Sequence, residues 1–304
     1  MVCSSGKPLL YCCTLHWHTL RQDNLNGEPG EFELQQIPVV ARSNLAEGVQ
    51  HDAKAFLIFS GSNERAVVAF CRRLKKHNLD IYIIARNERD AIFRTRFGKN
   101  VVATRATDLL DLADLDRCIS IAHVKCNAEE FVIAPTSEFF DIFLLENPDF
   151  FRERRCTIPL VDLALYRLVS DKASFSRLCS EHGIPTPARR LQASSNYPFV
   201  AKPLQNVTFG KRSLYPWLIH NQSDWDEFAN KENPDDYYFE EFVLGASYYL
   251  LMYLSPTGET TLFSQRNLIQ QPRGKSILLA ESASLHKEPI ARQCVELLRH
   301  LGFW

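Results

Sequence analysis

The sequence has no long hydrophobic run and no excess of one charge. Its longest apolar stretches, such as Ala55–Phe59 and Ile81–Ala85, are strand-length, far below the roughly 20 apolar residues that cross a bilayer. Its 35 basic and 36 acidic residues give a formal net charge of -1, without the basic surplus of a nucleic-acid-binding surface. We therefore expect neither a membrane protein nor a nucleic-acid partner.

The sequence also lacks a paired cysteine motif and a secretion signal. The nine cysteines are scattered and odd in number, which is typical of buried reduced thiols rather than a disulfide framework. Cys3, Cys12 and Cys13, with His16 and His18, form no Cys-x-x-Cys pair, so a metal site there is disfavoured. The N-terminus has no basic start followed by a sustained apolar core. These features predict a cytoplasmic protein.

The chain divides into three regions, and its overall pattern is α/β. Residues 1–53 show no sustained period and contain turn-forming residues, so we predict an irregular N-terminal extension. Residues 54–165 alternate short apolar strands with amphipathic helices, which predicts a parallel sheet with right-handed βαβ crossovers. In residues 166–304, Tyr237–Val243 and Tyr248–Ser255 read as long strands, which we expect to form a hairpin through Gly245.

One glycine loop, Ser60–Asn63, joins the first strand of the second region to a helix. A loop at such a junction can direct backbone N–H groups toward a phosphate or a carboxylate. The later glycines of a dinucleotide fingerprint are missing. A dehydrogenase is therefore disfavoured, and a tight turn without a ligand is the simpler interpretation.

Three spaced motifs carry the strongest functional signal. They are Asp171-Lys172, whose helix ends at Gly183-Ile184-Pro185-Thr186-Pro187, the strand Pro198–Pro203 with Lys202, and the segment Tyr238–Gly245 with Glu240-Glu241. A lysine on a stiff strand supplies a point charge to a triphosphate. A carboxylate followed by apolar Phe242 and Val243 suits an adenine slot. Each motif alone is typical of solvated charges or a helix stop, but their order and spacing indicate one shared site.

In this order the motifs resemble the ATP-grasp superfamily from about Ala55 to the end of the chain, in particular the carbamoyl-phosphate synthase large-subunit-like and carboxylate–amine ligase types. The resemblance implies a parallel-sheet pre-ATP-grasp domain over 54–165 and an α+β ATP-grasp domain over 166–304. It implies a ligase that acts through an acyl phosphate, with ATP and Mg²⁺ as cofactors. The expected partners are small-molecule carboxylate and nucleophile substrates.

The resemblance also assigns roles to individual residues. Lys172 and Lys202 would contact the phosphates, and Lys211 would reach them from the lid loop Gln205–Ser213. Glu240 would face the adenine amino group or the ribose, while the backbone from Glu241 through Phe242 to Val243 would form the adenine hinge. Ser247 stands near the position where many relatives place a ribose-binding Glu. Arg266 would lie near the transferred phosphoryl group, with an ordinary surface salt bridge as the alternative.

Members of the superfamily hold magnesium with a Glu and a Glu-x-Asn segment that follow the last helix. This sequence ends at Trp304, where that strand would begin, so we nominate no metal ligand there and expect an ATP-grasp fold incomplete at its C-terminus. Glu259 and Glu281 are the fallback ligands. The missing strands would pair with the sheet that contains Tyr248–Ser255, so we also expect an exposed edge of this sheet that favours self-association, for example a homodimer. The alternative function is a non-catalytic nucleotide-binding or interaction protein.

Overall fold

The computed structural model describes residues 54–61, 63–126, 128–190, 196–204, 214–270 and 277–303, together with the strand β1 (Cys13–His18). These residues divide between Leu163 and Ala164 into two compact units, and β1 belongs to the second. Within this part of the chain no helix has the length and apolar character needed to cross a membrane.

The first unit is a parallel sheet with helices on both faces. Its strands are β2 (Lys54–Phe59), β3 (Ile81–Ala85), β4 (Val101–Thr104), β5 (Glu130–Ala134) and β6 (Cys156–Thr157), and its helices are α1 (Glu64–Lys76), α2 (Leu112–Lys125), α3 (Glu138–Glu146) and α4 (Pro148–Glu153). The strand order is β4-β3-β2-β5-β6 and every pairing is parallel. The parallel sheet predicted from the sequence is therefore confirmed.

The strands of this sheet are apolar along their length because both of their faces are buried. Leu57 packs in one core cluster with Leu115 and Ile119 of α2, and Ile58 packs in another with Val67 of α1. Six cysteines are buried and free, as expected for reduced thiols: Cys71, Cys118, Cys126, Cys156, Cys179 and Cys294. Burial raises the pKa of five of these thiols to about 11 or 12, which keeps them protonated and unreactive.

The second unit contains two antiparallel sheets. Its elements are α5 (Leu163–Ser170), α6 (Lys172–Glu181), β7 (Arg189–Arg190), β8 (Phe199–Pro203), β9 (Trp217–Ile219), α7 (Gln222–Lys231), β10 (Tyr237–Glu241), β11 (Ser247–Leu254), β12 (Thr260–Gln270), β13 (Ile277–Ala283) and α8 (Pro289–His300). The smaller sheet has the order β7-β10-β8-β9, and the larger has the order β1-β11-β12-β13.

The hairpin expected for two of these strands is wrong. β10 pairs with β7 and β8 in the smaller sheet, while β11 lies in the larger one. β11 is an inner strand of that sheet, since β1 pairs with one side and β12 with the other. β1 lies in the region for which the sequence predicts no regular element. Gly245 therefore sits in a connection between two sheets rather than in a hairpin turn.

The smaller sheet has one apolar face and one polar face. Phe199 and Ala201 of β8 pack with Trp217 and with Phe228 of α7 in a buried aromatic cluster. Because successive side chains of a strand point to opposite faces, Lys202 lies on the other face of β8. The alternation of this strand thus directs its lysine away from the core.

Candidate functional site

Lys202 and Glu240 form a largely buried ion pair on the polar face of the smaller sheet. The register places Lys202 opposite Tyr238 and Glu240 opposite Val200, so the two charged side chains are diagonal neighbours on one face. Lys202 Nζ donates to Glu240 Oε2. The Glu240 side chain is 4% exposed and that of Lys202 is 27% exposed. A carboxylate buried to this degree depends on its partner for compensation.

Three further residues surround this ion pair. Tyr238 is buried, and the Arg189 Cζ lies 4.9 Å from the centroid of its ring. Burial raises the pKa of the Tyr238 hydroxyl, the carboxylates of Glu240 and Asp171 raise it further, and Arg189 acts in the opposite direction. Arg189 of β7 thus contacts the Tyr238 ring of β10, and Asp171 lies within electrostatic range of the Tyr238 hydroxyl.

Asp171 begins α6 and positions the predicted phosphate ligand beside it. Its Oδ1 accepts a hydrogen bond of 2.7 Å from Ser174 N, which caps the helix. Lys172 is the first residue of that helix and is exposed. Lys172 therefore stands next to Asp171, which lies within electrostatic range of the Tyr238 hydroxyl.

The connection from β10 to β11 forms the wall of a pocket of about 320 Å³. The lining residues are Phe242, Val243, Leu244, Gly245, Ala246, Ser247, Arg266, Asn267 and Leu268. Four of the residues proposed from the sequence for the adenine, ribose and phosphoryl contacts therefore share one pocket. A volume of this size is at the lower end of the range for small-molecule sites.

A buried hydrogen-bond network fixes the polar side of this pocket. Ser247 pairs in register with Asn267, whose Nδ2 donates to Ser247 Oγ at 2.9 Å. Gln265 Nε2 in turn donates to Asn267 Oδ1 at 2.9 Å. Because a hydroxyl both accepts and donates, Ser247 retains a proton for a ligand oxygen. Asn267 is absent from the residues proposed from the sequence, since its closeness to Ser247 depends on the strand register.

Arg266 lies at this pocket and also forms a surface ion pair. Its Nη1 is 3.7 Å from Glu281 Oε1, and the two side chains are 46% and 52% exposed. The register places the two residues directly opposite each other on β12 and β13. Arg266 therefore forms the surface ion pair offered as one interpretation and also lines the pocket. A contact with a transferred phosphoryl group stays a prediction.

The remaining proposed residues lie outside these contacts. Glu241 ends β10 as an exposed residue. Lys211 lies outside the described residues, as does the whole lid loop that contains it. Within the described ranges, no three His, Cys, Asp or Glu side chains lie together as a metal site. Glu281 is engaged with Arg266. The described side chains thus do not fit a magnesium ion, and we derive no step through one.

Comparison with known proteins rests on solved structures. No protein-family model matches the chain, and no curated protein matches it in sequence. Its fold is similar to that of a biotin carboxylase from Campylobacter jejuni, solved with βγ-ATP, at a TM-score of 0.55 and 14% identity over 83% of this chain and 60% of that chain.

A second similar structure is the N5-carboxyaminoimidazole synthase from Aspergillus clavatus, solved with ADP and 5-aminoimidazole ribonucleotide. Its TM-score is 0.53 at 12% identity, and the match covers 81% of this chain and 63% of that chain. The biotin carboxylase domain of a thermophilic 2-oxoglutarate carboxylase gives 0.51 at 17% identity, over 83% of this chain and 58% of that one. At these identities the likeness shows the fold alone, and the chain spans about three fifths of each solved structure.

Proposed function

Because the chain has the ATP-grasp fold, we propose that its second unit binds ATP and that the protein is an ATP-dependent carboxylate–amine ligase or a similar ligase. The observation that carries this proposal is the buried Lys202–Glu240 ion pair. Glu240 lies near the end of β10, and the segment that lines the pocket begins two residues later, at Phe242. Two of the similar structures were solved with βγ-ATP or ADP. Their ligands support a nucleotide as the first molecule to test.

Each side of the site suits one part of ATP. Phe242, Val243 and Leu268 line the pocket with apolar surface, which favours the adenine ring. Ser247, held by Asn267, can donate its hydroxyl proton to a ribose oxygen. Lys202, held by Glu240, can extend toward a phosphate without first ordering a loop. A charge-assisted contact of this kind is stronger than one between neutral groups.

The proposed reaction consists of two displacements. A carboxylate oxygen of the substrate attacks the γ-phosphorus of ATP, the bond to the bridging oxygen breaks, and ADP leaves with that electron pair. An amine or other nucleophile then attacks the acyl carbon and releases inorganic phosphate. Arg266, at the pocket, would stabilise the charge on the transferred phosphoryl group.

Calorimetric titration with ATP tests the binding part of this proposal. Lys172→Ala removes the charge of an exposed residue at the start of α6, so ATP binding should weaken by roughly 10- to 100-fold, with circular dichroism as the check that the variant is folded. Lys231→Ala, which removes an exposed partner of Glu227 on α7, is the matched control and should bind as the wild type does. Absence of ATP binding in the wild type, or equal affinity in all three proteins, would refute a nucleotide site here.

A second candidate function is nucleotide binding without catalysis. It is favoured by the finding that the described residues bring together no metal-binding group of His, Cys, Asp or Glu. The two functions differ in ADP formation. Release of ADP that depends on a pool of carboxylates and amines supports the ligase, whereas ATP binding without such release supports the non-catalytic protein.

A further inference from the structure

The carboxyl edge of the parallel sheet in the first unit carries a charged cluster that the proposed nucleotide site does not use. β2, β3 and β4 end at this edge, and the residues that follow them are Ser60, Arg86 and Arg105. β3 lies on one side of β2 and β5 on the other, so the direction of winding changes beside β2. Open α/β sheets bind ligands outside the carboxyl ends of their strands at such a switch point.

Arg105 is the unusual member of this cluster. It is only 9% exposed, and its Nε atom is buried without a hydrogen-bond partner. Burial lowers the pKa of its guanidinium, the neighbouring Arg86 lowers it further, and Asp114 and Asp108 act in the opposite direction. A buried donor without a partner is costly, and a second guanidinium beside it adds repulsion.

The nearby carboxylates hydrogen-bond to other groups. Asp108 Oδ1 accepts from Arg86 Nε at 3.1 Å and from Asn87 Nδ2 at 2.9 Å. Asp114 Oδ1 accepts from Arg117 Nη2 at 2.6 Å, and its Oδ2 accepts from the Ala106 amide at 2.8 Å. These two carboxylates therefore offset part of the charge of Arg105 without accepting a hydrogen bond from it.

A third nearby carboxylate, that of Asp90, is also occupied by local donors. Its Oδ2 accepts from Ser60 Oγ at 2.6 Å and from the Arg86 amide at 2.8 Å, and its Oδ1 accepts from the Ile92 amide at 2.9 Å. Asp90 thus fixes the ends of β2 and β3 relative to each other. It holds the backbone from which the Arg86 side chain extends.

Gly61 allows Arg86 to extend over the loop between β2 and α1. Its φ is +95°, and a Cβ at this position would lie 2.3 Å from the Cβ of Arg86. Arg86 Nη1 donates to the Gly61 carbonyl at 3.2 Å. The loop leads into the N-terminus of α1, which Asn63 caps and which favours negative charge. Two guanidinium groups and a helix N-terminus therefore meet at one edge.

We propose that this edge binds a small oxyanion, a carboxylate or phosphate group, which accepts hydrogen bonds from Arg105 and Arg86. Such a group would give the buried Nε its missing acceptor and would reduce the repulsion between the two guanidinium groups. The site lies in the first unit alone and is independent of nucleotide binding by the second. The competing explanation is that Arg105 serves only as a structural counter-charge for Asp108 and Asp114.

Thermal unfolding in the presence of inorganic phosphate or succinate, at constant ionic strength, distinguishes these explanations. With the anion at about ten times its Kd, the wild-type Tm should rise by roughly 3–6 °C. Arg105→Met should abolish this rise. Without anion its Tm should equal or exceed that of the wild type, because the apolar side chain removes an unpartnered donor. A structural counter-charge predicts the reverse, a lower Tm without anion.

Three further variants keep the result interpretable. Arg105→Lys retains the charge but not the planar donor pair, so the anion should bind about tenfold more weakly. Arg152→Met removes an exposed charge that pairs with Asp149 on α4 and should keep the full response. Lys231→Ala, which removes an exposed partner of Glu227 on α7 of the second unit, should also keep it.

The pattern of responses identifies the anion or overturns the proposal. A response to phosphate alone assigns a phosphate-bearing ligand, and a response to succinate alone assigns a carboxylate; either supports the site. No response in the wild type, or an equal response in Arg105→Met, overturns it. A response that survives in Arg105→Met and is lost in Lys172→Ala moves the anion to the second unit and also overturns it.

Discussion

The two antiparallel sheets of the second unit each carry a cross-strand ion pair, and the two pairs lie in different environments. In the smaller sheet, Lys202 pairs with Glu240, whose side chain is 4% exposed. In the larger sheet, Arg266 and Glu281 are 3.7 Å apart and about half exposed. Exposed pairs contribute little to stability, whereas removal of one partner from a buried pair is costly. A basic and an acidic residue on neighbouring strands thus contribute differently to stability according to their burial.

Burial of the two pairs follows from what covers each face. The face with Glu240 also holds the buried Tyr238, and the start of α6 lies close enough for Asp171 to raise the pKa of the Tyr238 hydroxyl. β13, which carries Glu281, exposes both Leu278 and Leu279. The alternation of side chains along a strand cannot distinguish the buried pair from the exposed pair. It predicts which face of the sheet a side chain lies on, but not whether other elements cover that face.

The largest effect is expected for Lys202→Ala. The change leaves the Glu240 carboxylate buried without its cation, so the free energy of unfolding should fall by about 3 kcal/mol, and ATP binding should be lost with it. Urea unfolding measures the first effect, and calorimetry below the unfolding transition measures the second. Lys231→Ala on α7, whose ion pair with Glu227 is exposed, should lose less than about 1 kcal/mol. Equal losses in the two variants would contradict the distinction between buried and exposed pairs.

The double variant Lys202→Met with Glu240→Leu separates the structural role of the pair from its proposed nucleotide role. Replacing both charges with apolar side chains leaves no unpaired group, so stability should return to within about 1 kcal/mol of the wild type. ATP binding should stay lost because no lysine remains for the phosphates. If the double variant binds ATP normally, the pair is structural only and Lys202 is not a phosphate ligand.

Elements whose faces are decided locally could be predicted from the sequence. Ile81–Ala85 is a strand with the predicted bounds, and Phe199–Pro203 begins one residue after the predicted start at Pro198. A short apolar run flanked by turn residues is typical of a strand buried on at least one face. The pairing of strands could not be predicted in the same way. β10 pairs with β8, and β11 pairs with β12. Without knowledge of these partners, the glycine between β10 and β11, Gly245, suggests a hairpin turn.

The candidate site shows the same limit. Lys202 and Glu240 are both proposed from the sequence, but their contact depends on the register of β8 against β10. Asn267 joins the pocket through the register of β11 against β12. Arg105 belongs to no recognisable sequence motif. The loop at Gly61 has the sequence of an ordinary turn, and only the structure shows that arginines following other strands lie at the same edge of the sheet. Residues were missed where their chemistry arises from strands that are distant in sequence.

A smaller effect is expected for Arg189→Met in the smaller sheet. Arg189 lies over the face of Tyr238 at 4.9 Å, and a cation at an exposed site of this kind contributes about 0.5–1 kcal/mol. Urea unfolding should show a loss of that size, and no loss should follow in a Tyr238→Leu background, where the ring is absent. Arg177→Met, which removes an exposed partner of Glu181 on α6, is the control. The same loss with and without the Tyr238 ring would show that Arg189 acts through another contact.

The smallest change in stability is expected for Arg266→Met in the larger sheet. Its ion pair with Glu281 is half exposed and long, so the free energy of unfolding should change by less than about 1 kcal/mol. If Arg266 stabilises the transferred phosphoryl group, carboxylate-dependent ADP formation should nevertheless fall by roughly 100-fold, with little change in ATP affinity.

Glu281→Gln is the decisive control for that prediction, because it breaks the same ion pair and leaves the arginine in the pocket. ADP formation should therefore persist in Glu281→Gln and fall in Arg266→Met. Equal losses in both variants would mean that the ion pair shapes the pocket and that the arginine has no separate role in phosphoryl transfer. The Arg266–Glu281 pair would then affect ADP formation only by shaping the pocket. It would differ from the buried Lys202–Glu240 pair only in its contribution to the free energy of unfolding.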